Sequence, residues 1–175
     1  MERFLIIQTA FIGDVILATP IIEKLSAFYP EAKIDFLVRK GNEGLLEKHP
    51  KLNKVLIWRK NKTKYRSLLQ VSQLVRSREY DCIINVQRFF AAGLITALSG
   101  AKLKIGFAKN PLSFLFHRKI GHRLIGQHET SRNLSLVREI TDDKYVKPKL
   151  YPSKNNYEHV TQFQQEPYLC FAPTS

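Results

Sequence analysis

Short apolar runs alternate along this chain with longer stretches whose apolar residues recur every three or four positions. Residues 4–7, 34–38, 55–58, 82–86 and 103–107 are nearly unbroken apolar runs. At that length they read as strands buried on both faces. Between them, residues 12–28, 41–48, 65–78 and 89–98 carry helical spacing; in the third, Leu68, Leu69, Val71, Leu74 and Val75 make the stripe. Pro20 lies inside the first stretch. Proline lacks a backbone donor, so a break is predicted there, with Thr19 capping a second segment.

Strands that alternate with helices imply βαβ units and a mostly parallel sheet. Right-handed crossovers then give a doubly wound, Rossmann-like α/β layer. Beyond residue 107 the pattern loosens. Asn110-Pro111 reads as a turn, and 129–140 as a helix through Leu134, Leu136, Val137 and Ile140. Residues 144–153 read as a linker, 157–165 as a weak helix and 167–173 as a strand. That last strand is either the edge of the same sheet or the first strand of another domain; the second reading is preferred.

A chain of 175 residues can bury one good core. The apolar share of 44% is ordinary for a soluble domain, but the formal net charge of +13 is not. It has two readings: a solvated basic surface, or an anionic partner such as a nucleic acid, an anionic lipid or a phosphorylated sugar. Cys82 and Cys170 sit in apolar runs, match no zinc or redox spacing, and read as small buried hydrophobes in a reducing compartment. The opening apolar run is too short for a signal peptide, and no stretch is long enough to span a bilayer. A cytoplasmic protein is expected.

Doubly wound sheets bind ligands at the carboxyl ends of the strands, where the strand order reverses. In the usual order the loops after the first and fourth strands flank that crevice. Here these loops hold Gln8 to Asp14, and Gln87 with Arg88. The first loop has only Gly13, too few glycines for a dinucleotide fingerprint, and it lacks the P-loop lysine. Asp14 in the first helical turn has two readings: a favourable partner for the helix dipole, or a carboxylate presented to the crevice.

Position alone favours the first reading, and what changes it is a resemblance carried by a longer set of residues. An apolar strand, a polar loop, Ile12-Gly13-Asp14 and Thr19-Pro20 stand in order. They are followed by residues 80–87, by Lys104-Ile105-Gly106-Phe107, and by His128-Glu129 with Arg132-Asn133-Leu134. Across residues 1 to 140 this set resembles glycosyltransferase family 9, the lipopolysaccharide heptosyltransferases. Phe11 stands where members of that family carry small hydroxyl residues.

The resemblance implies the N-terminal, acceptor-side half of a GT-B fold and an inverting transfer from a nucleotide sugar, typically ADP-heptose, to the lipopolysaccharide inner core. It implies that Asp14 is the general base. It places acceptor contacts at Thr9, Gly13, Lys60, Lys62, Lys64, Gln87, Arg88, Arg123 and His128, though His128 could equally fix its own loop. Arg59, Arg66, Arg118, Lys119 and His122 extend the basic set. No cofactor or metal is implied. Residues 1–165 would form the acceptor domain and 166–175 the first strand of a missing donor-binding domain. The expected partners are an anionic core or lipid A-type acceptor and the cytoplasmic surface of the inner membrane. The rival readings are a basic α/β module that binds nucleic acid without catalysis, and a GT-B transferase with another donor.

Overall fold

The computed structural model describes residues 2–60, 64–121, 128–167 and 169. Six strands carry the sheet: β1 (Arg3–Ile7), β2 (Lys33–Arg39), β3 (Lys54–Trp58), β4 (Cys82–Asn85), β5 (Leu103–Phe107) and β6 (Arg118–Ile120). Their order is β3-β2-β1-β4-β5-β6, and every described pairing is parallel. The order reverses between β1 and β4, which places the topological switch point between them.

Why these segments become strands is visible in β1. Phe4, Leu5, Ile6 and Ile7 are all fully buried, and alternate residues leave opposite faces of the pleat. Phe4 and Ile6 join Phe36, Val38, Cys82 and Ile84 in one core layer. That layer lies beneath Val15, Ala18, Ile22 and Leu25 of helix α1 (Ile12–Phe28) and Leu134 of α4 (Glu129–Leu134). Leu5 and Ile7 join Leu37, Leu56 and Ile83 in the opposite layer. There they meet α2 (Lys64–Arg76) through Leu68, Val71 and Val75, and α3 (Phe90–Leu98) through Ala92 and Ile95. Burying one such side chain is worth about 1.5–3 kcal/mol, so β1 alone anchors both layers. A final helix, α5 (Lys154–Thr161), is exposed along its whole length.

The predicted break at Pro20 does not occur; α1 runs unbroken from Ile12 to Phe28. The carbonyl that Pro20 cannot reach belongs to Ile16. The buried Thr19 hydroxyl donates to it at 2.7 Å and accepts the Lys149 backbone N–H at 3.0 Å. Asn133 Nδ2 donates to the next carbonyl, that of Leu17, at 3.1 Å. Side chains thus take over the bonds that would otherwise be lost. Lys24, 3% exposed, serves the same helix face: its ammonium reaches Asp142 Oδ1 and the carbonyls of Asp142 and Lys144 at 2.6–2.7 Å. It fastens the segment read as a linker.

Other differences are smaller. The helix expected over 41–48 is a single 3₁₀ turn at Glu43–Leu45, and that over 129–140 is α4 followed by a 3₁₀ turn at Arg138–Ile140. The strand expected over 167–173 falls almost wholly outside the described residues. Arg118 and Lys119, expected to wall the crevice, lie instead in β6 at the far edge of the sheet, where Arg118 pairs with Glu139 at 3.1 Å. Cys82 is buried, and burial pushes its thiol up to about 12, which leaves it inert at neutral pH. No helix among the described residues is long and apolar enough to cross a membrane.

Candidate active site at the sheet switch point

Two loops meet at the carboxyl ends of β1 and β4. The β1 loop is fastened by its own polar groups. Gln8 N–H donates to Leu37 O at 3.1 Å, Ala10 N–H donates to Gln8 Oε1 at 3.3 Å, and Asn42 Nδ2 donates to Ala10 O at 2.8 Å. The β4 loop is held from both sides. Val86 N–H donates to Ile7 O at 3.1 Å, and Gln87 N–H to Asn85 Oδ1 at 2.8 Å. The Gln87 side-chain amide donates to Gln8 Oε1, which ties the two loops together.

Asp14 enters this crevice from the first turn of α1. Phe11 precedes the helix with an extended backbone and has no side-chain oxygen to cap it. Instead, Asp14 Oδ2 accepts the Phe11 N–H at 3.1 Å, the reciprocal half of a capping box. That bond fixes the carboxylate. Its other oxygen, Oδ1, has no protein partner among the described residues. The carboxylate borders a cavity of about 410 Å³ lined by Gln8, Ala10, Phe11, Asp14, Arg88 and Arg132, among others. Glu129 lines it too and forms an ion pair with Arg132.

A second cavity of about 820 Å³ opens beyond the Gln87–Phe89 wall. Trp58, Tyr65, Leu68, Phe89 and Phe90 line it, with Thr9 and Lys60 at its polar part. Lys60 donates to Thr9 O at 3.4 Å and its ammonium lies 4.6 Å from the Trp58 ring centroid. Arg39 lies 5.0 Å from the centroid of the exposed Phe11 ring. The rim of the crevice is therefore basic and aromatic together.

The expected site residues thus divide. Asp14, Gln87 and Arg88 share one cavity, and Thr9, Lys60 and Gln87 share the adjoining one. Gly13 is exposed beside Asp14; a Cβ there would meet nothing within 4 Å. His128 caps α4, its Nδ1 accepting the Thr130 N–H at 3.3 Å, which is the loop-fixing role. Arg59 and Arg66 are exposed. Lys62, His122, Arg123 and the side chain of Lys64 lie outside the described residues. Among the described residues no group of three acidic, histidine or cysteine side chains could hold a metal ion.

Sequence reasoning missed Glu129 and Arg132 as lining residues. Their i,i+3 spacing directly after a capping histidine was the available signal. It missed Asn110 as well. Asn110 is 2% exposed, and its Nδ2 donates at 3.0 Å to the carbonyls of both Gln87 and Phe89, which flank Arg88. The arrangement as a whole offers a fixed carboxylate, two guanidiniums and an amide pair in one cleft. That set suits removal of a proton from a hydroxyl whose neighbours are anionic.

Comparison with known proteins bears on the family and the fold. The family model described as glycosyltransferase family 9 (heptosyltransferase) matches residues 68–175. Lipopolysaccharide heptosyltransferase 3 of Escherichia coli is 30% identical over 145 residues, 78% of this chain and 42% of the relative. The chain therefore spans less than half of that relative's length. Among solved structures, the family 9 glycosyl transferase of Veillonella parvula superposes with a TM-score of 0.81 at 16% identity, over 93% of this chain and 48% of the other. The E. coli heptosyltransferase WaaC, solved with ADP-2-deoxy-2-fluoro heptose, gives 0.71 at 20% identity, over 85% and 51%. These likenesses establish the Rossmann-like fold, and with the family match over more than half of its residues the chain belongs to glycosyltransferase family 9, the heptosyltransferase family.

Proposed function

We propose that this chain is the acceptor-side half of an inverting glycosyltransferase that moves a heptose from ADP-heptose to an anionic lipopolysaccharide core. The observation that carries this reading is Asp14. Its carboxylate is pinned through Oδ2 to the Phe11 N–H and lines the switch-point cleft, with Oδ1 left for an acceptor. In this reading the acceptor hydroxyl donates its hydrogen bond to Oδ1. Its oxygen attacks the anomeric carbon of the donor from the face opposite the nucleotide. The new C–O bond forms as the bond to the diphosphate breaks, the diphosphate keeps the electron pair, and the proton ends on Asp14.

Residues 1–165 serve as the acceptor domain, and the donor is held by the further length that the relatives carry. Lys60, Arg88 and the basic rim draw the anionic acceptor in, and place the enzyme at the cytoplasmic face of the inner membrane. Names of relatives support the substrate classes: one is a lipopolysaccharide heptosyltransferase, and another was solved with a fluorinated ADP-heptose. With a family 9 donor-side domain present, transfer from ADP-heptose to core acceptor is expected to invert the anomeric configuration, read by NMR of the product. Retention of configuration would rule out the single displacement that Asp14 is assigned.

A further inference from the structure

The cavity at Asp14 is balanced in charge. Asp14 and Glu129 stand with Arg88 and Arg132 in its lining, so charge alone does not say what it holds. Its aromatic rings say more. Phe11 and Phe89 line the same cavity and are 69% and 58% exposed. A single exposed phenyl is ordinary on a protein surface. Two on one cleft, beside the carboxylate assigned to the chemistry, make an apolar surface exposed to water where a substrate must lie.

Both rings are held. The Phe11 backbone N–H bonds Asp14 Oδ2 at 3.1 Å, and the Arg39 guanidinium lies 5.0 Å from the Phe11 ring centroid. The Phe89 carbonyl accepts the amide of the buried Asn110 at 3.0 Å, and the Arg88 guanidinium lies 5.5 Å from the Phe89 ring centroid. A cation thus steadies each ring while more than half of each residue stays open. The face of a phenyl ring carries partial negative charge, which attracts C–H groups and repels hydroxyl oxygens. A sugar ring offers both kinds of surface: C–H groups on its faces and hydroxyls around its edge. An aromatic wall takes a face and leaves the edge to polar partners. Here the polar partner is Asp14, three residues from Phe11 and bonded to its backbone.

We infer that Phe11 and Phe89 are stacking walls for a sugar ring of the acceptor, which select a ring with a C–H face free of axial hydroxyls and turn its hydroxyl edge toward Asp14. The inference rests on the transferase reading and adds a specificity determinant that this chain's own rings supply.

The test is binding of deacylated lipopolysaccharide core oligosaccharide to this chain, followed by NMR, with no transfer needed. Protons held over a phenyl face move upfield, so the C–H signals of one sugar are expected to move upfield on binding while those of the other sugars do not. Phe11→Leu keeps an apolar side chain and the backbone N–H that holds Asp14, and removes the ring. It is expected to shrink those shifts and to weaken binding about tenfold. Phe89→Leu is expected to act alike, and Phe11→Tyr to keep both shifts and affinity. Both positions are exposed, so the core is untouched. The affinity ratio of parent to Phe11→Leu is expected to be the same at low and high salt, because salt screens charges and not apolar contact. Binding by the parent without upfield shifts, or unchanged shifts in either leucine variant, would overturn the inference and leave the transferase reading standing. A ratio that collapses at high salt would mean that Phe11 acts only by placing the charge of Arg39, and would overturn the inference as well. Absence of binding by the parent would overturn the inference and the transferase reading together.

Discussion

Gly93→Ala tests the clamp beneath the cleft loop, and its sign is the informative part. Gly93 lies inside α3, where alanine is ordinarily favoured over glycine by about 1 kcal/mol. A Cβ at this position would come within 2.2 Å of Asn110 Oδ1 and 3.0 Å of its Cγ and Nδ2. The Asn110 amide cannot step aside without giving up its bonds to Gln87 O, Phe89 O and Leu112 N–H. At about 0.5–1.5 kcal/mol net for each bond, the loss is roughly 2–4 kcal/mol. Set against the helix-propensity gain, a net destabilisation of about 1–3 kcal/mol follows. In a chain of this size that lowers Tm by roughly 2–12 °C. Urea unfolding of four proteins reads it out: the parent, Gly93→Ala, Asn110→Ala and the double variant. Gly93→Ala should destabilise the parent yet be neutral or stabilising in the Asn110→Ala background, where nothing occupies the space. If it stabilises both backgrounds alike, Asn110 does not sit where the clamp requires and the account of the Arg88 loop fails.

Two further predictions concern the frame. Thr19→Val keeps the volume but leaves the Ile16 carbonyl and the Lys149 N–H without their partner, so it should cost about 1–3 kcal/mol in urea unfolding, whereas an unchanged midpoint would mean Pro20 needs no such relief. Asp81 pins the start of β1 through the Glu2 and Arg3 N–H groups, and its bond to Lys102, with those two, holds its carboxyl down at about 2 against an ordinary 3.8. Its folded pKa is depressed, so its contribution is full above about pH 4 and is lost as pH falls through about 2; Asp81→Asn should flatten the fall in stability across that window, and an identical pH profile would remove it from that role.

The strands, their parallel pairing and the crevice between the first and fourth were legible because each rests on local pattern plus one topological rule. β1 is apolar at four consecutive positions, and only a strand covered on both faces uses such a run. Asp14 was legible for the same reason: its place follows from the end of β1. What escaped depends on partners far away in sequence. Pro20 looks like a break until Lys149 and Asn133 are brought to the same helix. Asn110 looks like a turn residue and is one, yet its amide also spans 21 and 23 residues back to hold the Arg88 loop. Glu129 and Arg132 were read only as part of the family pattern, because their place on the cleft wall depends on how α4 packs against α1 far away in sequence.

The central claim is that Asp14 takes the proton, and turnover of Asp14→Asn tests it most directly. The amide can still accept the Phe11 N–H through its oxygen, so α1 should stay capped and the melting curve unchanged. Assayed with a donor-side domain present, the account predicts a fall in kcat of about 10²-fold or more, with KM for the acceptor little altered. Near-parental kcat in a fully folded Asp14→Asn protein would contradict it and return Asp14 to the role of a helix cap.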